Sequence, residues 1–165
     1  MSNGPSKKRI AVLAGGYSGE AVISIQSSAT VMENIDTQLF SPTLVRIDSD
    51  RWWANVEGLP TVDQTSFTFS GSDGSTIGFD AVFIMVHGTP GEDGILQKYF
   101  ENLGLPFTTG HSESVTGTFN KFATTSRLRD AGFTVGDSVI INSAENIDEE
   151  KIESLRNSVG LPCFV

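Results

Sequence analysis

The run from His87 to Gly94 carries the side chains best suited to chemistry in this sequence. It holds an imidazole at His87 and two carboxylates at Glu92 and Asp93, directly after the apolar run Phe79 to Val86. We expect that run to be a buried strand. The polar residues after it then lie at the carboxyl end of the strand, where open parallel sheets bind ligands. The carboxylates are also typical of a helix start, since Asp is a favoured N-cap residue.

A second glycine-rich turn, Gly15 to Glu20, follows the apolar run Arg9 to Ala14. Glycines before a helix N-terminus are typical of an anion site, but the G-x-G-x-x-G spacing of a dinucleotide site is not met. Glu20 stabilises the first helical turn, and a carboxylate facing the crevice suits a substrate ammonium better than a phosphate. His87 has no second His or Cys at ligand spacing, which disfavours metal binding. The two turns therefore predict a small polar site framed by Glu20 and His87.

Strands and helices must alternate to position these turns. The patterns predict strands at 9–14, 42–47 and 79–86, and a further strand beginning at 106–108. A small hairpin is predicted within 67–79, and a helix at 93–103. Another helix opens at 18–20, and its apolar residues are Val22, Ile25, Ala29, Met32 and Ile35. This alternation predicts an α/β fold with a mainly parallel sheet.

The composition shifts at residues 110–114, and we place a domain boundary near residue 113. Beyond it the patterns predict a helix at 119–131, with Phe119, Phe122 and Leu128 in its core, a strand at 134–141 and an acidic amphipathic helix at 147–159. The last residues, 161–165, read as half a strand, so we expect a longer protein that has been shortened here. With so few elements, the segment from about residue 114 is expected to be weakly protected against amide exchange and to self-associate through an unpaired strand edge.

Composition limits the class of function. The 38% hydrophobic and 19% charged residues are ordinary for a globular protein. The net charge of −9 argues against a nucleic-acid or anionic-membrane partner. No stretch has the length of a signal-peptide core or a membrane span, so we expect a cytoplasmic protein. Its one cysteine, Cys163, lies in an apolar run, which predicts a buried structural thiol.

Four motifs together resemble the amino-terminal part of the D-alanine–D-alanine ligases, a family of ATP-grasp enzymes. The most specific is His87 to Gly94, which is similar to the family's H-G-x-x-G-E-D-G signature. The others are Gly15-Gly16-x-Ser18-x-Glu20 with Ser24, Leu103 to Thr108, and Asn120-Lys121. Their order and spacing extend the resemblance over essentially the whole chain.

The composition of residues 1–7 predicts a disordered leader. The resemblance implies a Rossmann-like pre-ATP-grasp domain at 8–113 and the incomplete start of an ATP-grasp central domain at 114–165. In this family ATP phosphorylates the carboxylate of one D-alanine, and the amine of a second attacks the acyl phosphate. The resemblance makes Glu20 the catalytic residue that orients the first D-alanine through its ammonium. It also places His87, Glu92 and Ser24 at the substrate and Lys121 near the ATP phosphates.

The chain departs from the family pattern at Ala21 and Val22, where a charged pair is common, and at Asn120, where an aspartate is frequent. The family's remaining ATP-binding and Mg²⁺-binding groups correspond to positions past Val165. We therefore expect no metal ligands in this chain, no tight binding of ATP or Mg²⁺, and no activity of the chain alone. The family often forms homodimers, so a homodimer is a further expectation.

Three alternatives stay open at this point. One is a ligase that joins D-alanine to D-lactate or D-serine. Another is a non-catalytic α/β module for binding or dimerisation, derived from the same family. The last is a Rossmann-like nucleotide-binding protein unrelated to ligases.

Overall fold

The computed structural model describes residues 6–142 and 147–163, which form two compact units that divide between Thr116 and Gly117. The described elements are β1 (Lys8–Gly15), α1 (Ala21–Asn34), β2 (Phe40–Ile47), β3 (Trp52–Ala54), β4 (Phe69–Ser70), β5 (Thr76–Ile77), β6 (Ala81–Ile84), α2 (Ile95–Leu103), α3 (Ser112–Phe119), α4 (Lys121–Asp130) and α5 (Glu149–Val159). Most of the predicted leader (residues 1–5) and the end of the predicted half-strand (residues 164–165) lie outside the described residues. In the part described, no helix is long and apolar enough to cross a membrane.

The first unit is built on a four-stranded sheet in the order β3-β2-β1-β6. β1 pairs in parallel with both β2 and β6, and β3 adds an antiparallel edge strand that the sequence did not predict. The α/β class and the mainly parallel sheet are confirmed. The chain runs from β1 to β2 on one side and then crosses to β6 on the other. The switch point of this sheet therefore lies between the carboxyl ends of β1 and β6, where such sheets bind ligands.

The main core lies on the sheet face that α2 and an aromatic cluster cover. Phe67 and Phe100 are almost fully buried, with ring centroids 5.0 Å apart in an edge-to-face arrangement. The predicted hairpin is present as the antiparallel pair β4–β5. The predicted strand at 106–108 makes only a single parallel bridge, between Val82 and Phe107. The aromatic core thus supports β1 and β6, the two strands that lead to the candidate site.

Helix α1 buries a different face from the one its apolar spacing predicts. Its buried residues are Ser24 and Ser28, whereas Val22 is 62% exposed and Ala29 is also exposed. Small hydroxyl side chains let the helix approach the sheet closely and still satisfy their hydrogen bonds. The other predicted apolar positions, Ile25, Met32 and Ile35, are partly buried beside them.

The second unit differs from the sequence prediction in several ways. The helix predicted at 119–131 is present as α4, which begins after Asn120; the Asn120 side chain caps it by accepting a hydrogen bond from the Ala123 N–H. Helix α3, which ends at Phe119, was not predicted. The strand predicted at 134–141 is wrong: within the described residues this segment pairs with no other strand, and a strand needs a neighbour for its backbone groups. Phe119, Phe122 and Leu128 are exposed, at 45%, 37% and 39%, instead of forming a core. Cys163 is exposed too, so the buried thiol is also wrong.

Candidate functional site at the sheet switch point

Two glycines let the turn after β1 pass close to its neighbours. Gly15 and Gly16 have φ angles of 108° and 121°, a region that favours glycine. A Cβ at Gly15 would overlap the carbonyl of Ile47, and a Cβ at Gly16 would lie 2.9 Å from the Val86 side chain and 3.1 Å from the Thr89 carbonyl oxygen. The turn after β1 therefore contacts both the end of β2 and the segment after β6.

Hydrogen bonds join the turn after β1 to the segment after β6. The Tyr17 N–H donates to the Thr89 carbonyl at 2.9 Å, and the Ser18 hydroxyl donates to the His87 carbonyl at 3.2 Å. The same hydroxyl accepts a hydrogen bond from the Glu20 N–H at 3.2 Å. Ser18 thus holds the first turn of α1, and with it Glu20, beside the His87 segment.

The Ser24 side chain joins helix α1 to the end of β1 and to the residue after β6. Its hydroxyl accepts a hydrogen bond from the Gly15 N–H at 2.9 Å and donates one to the Met85 carbonyl at 2.6 Å. The side chain is fully buried. This differs from the substrate-binding role expected for Ser24, because no part of the residue is accessible and its hydroxyl already bonds two backbone groups. In this structure Ser24 positions the strand ends.

The Glu20 carboxylate lies directly against the backbone at Gly88. A Cβ at Gly88 would stand 2.8 Å from Glu20 Oε2 and 2.6 Å from Ser18 Oγ, and the φ of Gly88 is 64°. The structure thus brings Glu20 to the residue that follows His87. Among the described residues, the Glu20 carboxylate makes no ion pair and no hydrogen bond. It is therefore free to accept hydrogen bonds from a cationic ligand.

The two ring nitrogens of His87 have different surroundings. Its Nδ1 lies 3.8 Å from Glu92 Oε1, an ion-pair distance that is too long for a hydrogen bond. Its Nε2 is buried and has no hydrogen-bond partner in the described part of the chain. A buried polar atom without a partner costs about 1–3 kcal/mol. A small rotation of the His87 side chain, which is 35% exposed, would let Nε2 bond a ligand and recover this cost. Glu92 itself is about half exposed, and its N–H donates to the Gly88 carbonyl at 2.8 Å.

Gln97 and Trp52 support the site and were missed by sequence reasoning. Gln97 is fully buried on α2, and its Nε2 donates to the Gly91 carbonyl at 2.6 Å, which holds the glycine-rich segment in place. Trp52 Nε1 donates to the Tyr17 hydroxyl at 3.1 Å. Nothing in the sequence marks Gln97, because α2 also carries the polar residues Lys98, Glu101 and Asn102.

Lys121 belongs to the second unit, whereas the other candidate residues belong to the first. It is the first residue of α4 and is exposed. Over the ranges described, no group of three or more His, Cys, Asp or Glu side chains could hold a metal ion. The predicted cluster thus consists of Glu20, His87 and Glu92, with Ser24 beneath it.

The family model described as "D-ala D-ala ligase N-terminus" matches residues 9–110, which is more than half of the chain. The chain belongs to this family. The D-alanine–D-alanine ligase of Porphyromonas gingivalis is 37% identical to it over 161 residues, covering 96% of this chain and 48% of the relative. The residues matched by the D-ala D-ala ligase N-terminus model include both turns of the candidate site.

Solved structures agree with this family assignment. The D-alanine-D-alanine ligase from Coxiella burnetii superposes with a TM-score of 0.81 at 28% identity, covering 92% of this chain and 50% of that one. The VanG D-Ala:D-Ser ligase from Enterococcus faecalis gives a TM-score of 0.73 at 28% identity, covering 93% and 50%. This member of the D-ala D-ala ligase N-terminus family thus spans about half the length of the proteins it matches.

Proposed function

We propose that this chain is the amino-terminal part of an ATP-dependent D-alanine–D-alanine ligase of peptidoglycan precursor synthesis, acting in the cytoplasm. The observation that carries the proposal is the free Glu20 carboxylate beside His87, whose buried Nε2 has no partner in the described residues. A carboxylate next to an unsatisfied imidazole nitrogen at a sheet switch point suits a small, charged, polar substrate.

In this proposal Glu20 accepts hydrogen bonds from the ammonium of the first D-alanine, and His87 supplies a second polar contact. Glu92 keeps the His87 segment in place through its backbone bond to Gly88. These contacts leave the substrate carboxylate as the reacting group. The reaction that the resemblance implies transfers a phosphoryl group from ATP to that carboxylate, and the amine of a second D-alanine then displaces phosphate.

The proposal assigns ATP contacts to the second unit, through Lys121. An exposed lysine at the start of a helix can reach a phosphate, which also interacts favourably with the helix N-terminus. The donor set of the described residues does not fit Mg²⁺, since they contain no carboxylate cluster. The described residues are therefore assigned no role in binding Mg²⁺. We propose that the 165 residues alone bind ATP weakly and do not complete the reaction.

The substrate contact can be tested on the chain as it is, by NMR titration of the ¹⁵N-labelled protein. D-Alanine is expected to shift the amides of residues 15–20 and 87–92. D-Lactate, in which a hydroxyl replaces the ammonium, is expected to shift them far less. Glu20→Gln is expected to weaken D-alanine binding about tenfold, because a hydrogen bond to a charged group is worth about 1.5–3 kcal/mol. Glu33→Gln, at an exposed position on the same helix, is the matched control.

Equal shifts by D-alanine in the wild-type chain and in Glu20→Gln would contradict the assignment of Glu20. The reaction itself is tested by ATP-dependent phosphate release with D-alanine, comparing this chain with the full reading frame of its gene. Activity in the long form alone is the expected result. Silence of both forms would favour the non-catalytic binding module.

A D-alanine–D-serine ligase is the second candidate. It is favoured by the D-Ala:D-Ser ligase of Enterococcus faecalis, which matches this chain at the same 28% identity as the Coxiella ligase. Product masses obtained when the full reading frame is offered D-alanine, D-serine or D-lactate as second substrate distinguish these ligases.

A further inference from the structure

A second concave region lies in the first unit, at the amino ends of β1 and β2. It is a groove of about 410 Å³. Its lining includes Arg9, Thr43, Glu57, Phe69, Ile77 and Phe79. The volume falls within the range of about 300–1,000 Å³ that is typical of small-molecule sites. Arg9 is separated from Gly15 by most of β1, which is about 20 Å at 3.3 Å per residue. The groove is therefore distinct from the site at Glu20 and His87.

The groove marks the place where the core face of the sheet changes from apolar to polar. Side chains alternate between faces along a strand, so Arg9 shares its face with the buried residues Ala11 and Leu13. On β2, Ser41 and Thr43 likewise share the face of buried Val45. Arg9 pairs in register with Ser41. At this end of the sheet the core is therefore not closed by apolar side chains, and the space between the strands and the hairpin stays open.

The opposite wall of the groove is apolar and fixed. Phe69 is 6% exposed and packs against Phe79, with ring centroids 5.9 Å apart. Phe79 in turn contacts Phe67 of the main core at 5.2 Å. Because this wall continues the aromatic core, it can accept the apolar part of a ligand without rearrangement.

Two groups of opposite charge line the groove, and both are available. Within the described residues, neither the Arg9 guanidinium nor the Glu57 carboxylate makes an ion pair or a hydrogen bond. Asp80 accepts a hydrogen bond from the Arg9 backbone N–H at 2.7 Å. The pKa of Asp80 is lowered mainly by this bond, with the charges of Lys8 and Arg9 adding to the effect. Asp80 is thus already engaged by the backbone and by Lys8, at 3.8 Å.

We propose that this groove binds a small zwitterion with an apolar body, such as a free amino acid or a short peptide. Arg9 takes its carboxylate, Glu57 takes its ammonium, and Phe69 and Phe79 contact its side chain. A phosphate-bearing ligand fits less well, because the groove offers one arginine against one glutamate in a chain of net charge −9. The site is independent of the ligase reaction proposed above.

The test uses NMR titration of the ¹⁵N-labelled 165-residue chain with three probes of one shape. Phenylalanine carries both charges, 3-phenylpropionate only the carboxylate, and phenethylamine only the ammonium. Phenylalanine is expected to give saturable shifts at residues 41–43, 56–57 and 69–72. Each of the singly charged probes is expected to bind about tenfold more weakly, since each loses a charge-assisted contact.

Two substitutions at exposed positions separate the contributions of the charges. Arg9→Met keeps the backbone hydrogen bond to Asp80 and is expected to weaken phenylalanine binding about tenfold, as is Glu57→Gln. Arg51→Met removes an arginine that does not line the groove and is the matched control. Absence of saturable shifts in the wild-type chain, or wild-type affinity for phenylalanine in both Arg9→Met and Glu57→Gln, would overturn the proposal. Shifts at these residues that depend on protein concentration alone would replace it with contact to a second copy of the chain.

Discussion

Removal of the Ser24 hydroxyl tests whether this residue positions the candidate site or contacts the substrate. In Ser24→Ala the Gly15 N–H, which is buried, loses its acceptor, and the Met85 carbonyl loses its donor. A buried donor without a partner costs about 1–3 kcal/mol, and the second hydrogen bond contributes about 1 kcal/mol. Alanine has a higher helix propensity than serine by about 0.5 kcal/mol. The net loss in unfolding free energy is therefore expected to be about 1.5–3.5 kcal/mol.

Ser28→Ala is the matched control, since Ser28 is also buried and lies one turn further along α1. Its hydroxyl donates only to the Ile25 carbonyl of the same helix, at 2.8 Å. The loss of this local bond is largely offset by the gain in helix propensity, so stability is expected to stay within about 0.5 kcal/mol of the wild type.

Urea unfolding followed by tryptophan fluorescence measures both variants. Trp52 and Trp53 both belong to the first unit, so the signal reports on the unit that carries Ser24. A difference of less than about 0.5 kcal/mol between the two variants would refute the positioning role. A loss of D-alanine shifts in Ser24→Ala at unchanged stability would instead support direct contact with the substrate.

Two further predictions concern Gly88, which lies beside the Glu20 carboxylate, and Glu101 on α2. Gly88→Ala is expected to abolish the D-alanine shifts, because the new Cβ would displace the Glu20 carboxylate. Gly58→Ala is the control: its φ of 79° gives similar backbone strain, but its Cβ would have no neighbour within 4 Å, so the shifts should stay intact. Glu101 has a lowered pKa because the Ser112 N–H, and then the Ser112 hydroxyl, donate to it. Its contribution to stability is therefore present above the ordinary value of 4.5 and is lost as pH falls through the lower folded-state pKa. The stability difference between wild type and Glu101→Gln, measured by urea unfolding, should shrink below pH 4.5, and a pH-independent difference would contradict this assignment.

The proximity of the two turns that carry Glu20 and His87 was predictable because it depends on topology. Each residue follows a buried strand, and the carboxyl ends of parallel strands share one edge of the sheet. The glycines between them were visible too. The hydrogen bonds that hold the two turns together could not be predicted, because they require the exact approach of backbone groups far apart in the chain.

The buried face of α1 and the segment at 134–141 show where sequence patterns fail. Hydropathy counts Ser24 and Ser28 as surface residues, although a buried hydroxyl is stable once its hydrogen bonds are made. The Val and Ile residues at 134–141 favour a strand, but strand preference depends on neighbouring strands. In the described residues that segment has none. The three-residue edge strand β3 was too short to produce a recognisable alternation.

The hydrogen bonds from Tyr17, Ser18 and Ser24 across the two turns have a consequence for the energetics of ligand capture. They form without any ligand, so the turn after β1 and the segment after β6 are already ordered relative to each other. A ligand that enters between them loses its own freedom but does not have to freeze two loops as well. Conformational entropy thus opposes binding only weakly at this site, and the small number of contacts that a molecule the size of an amino acid can make becomes sufficient.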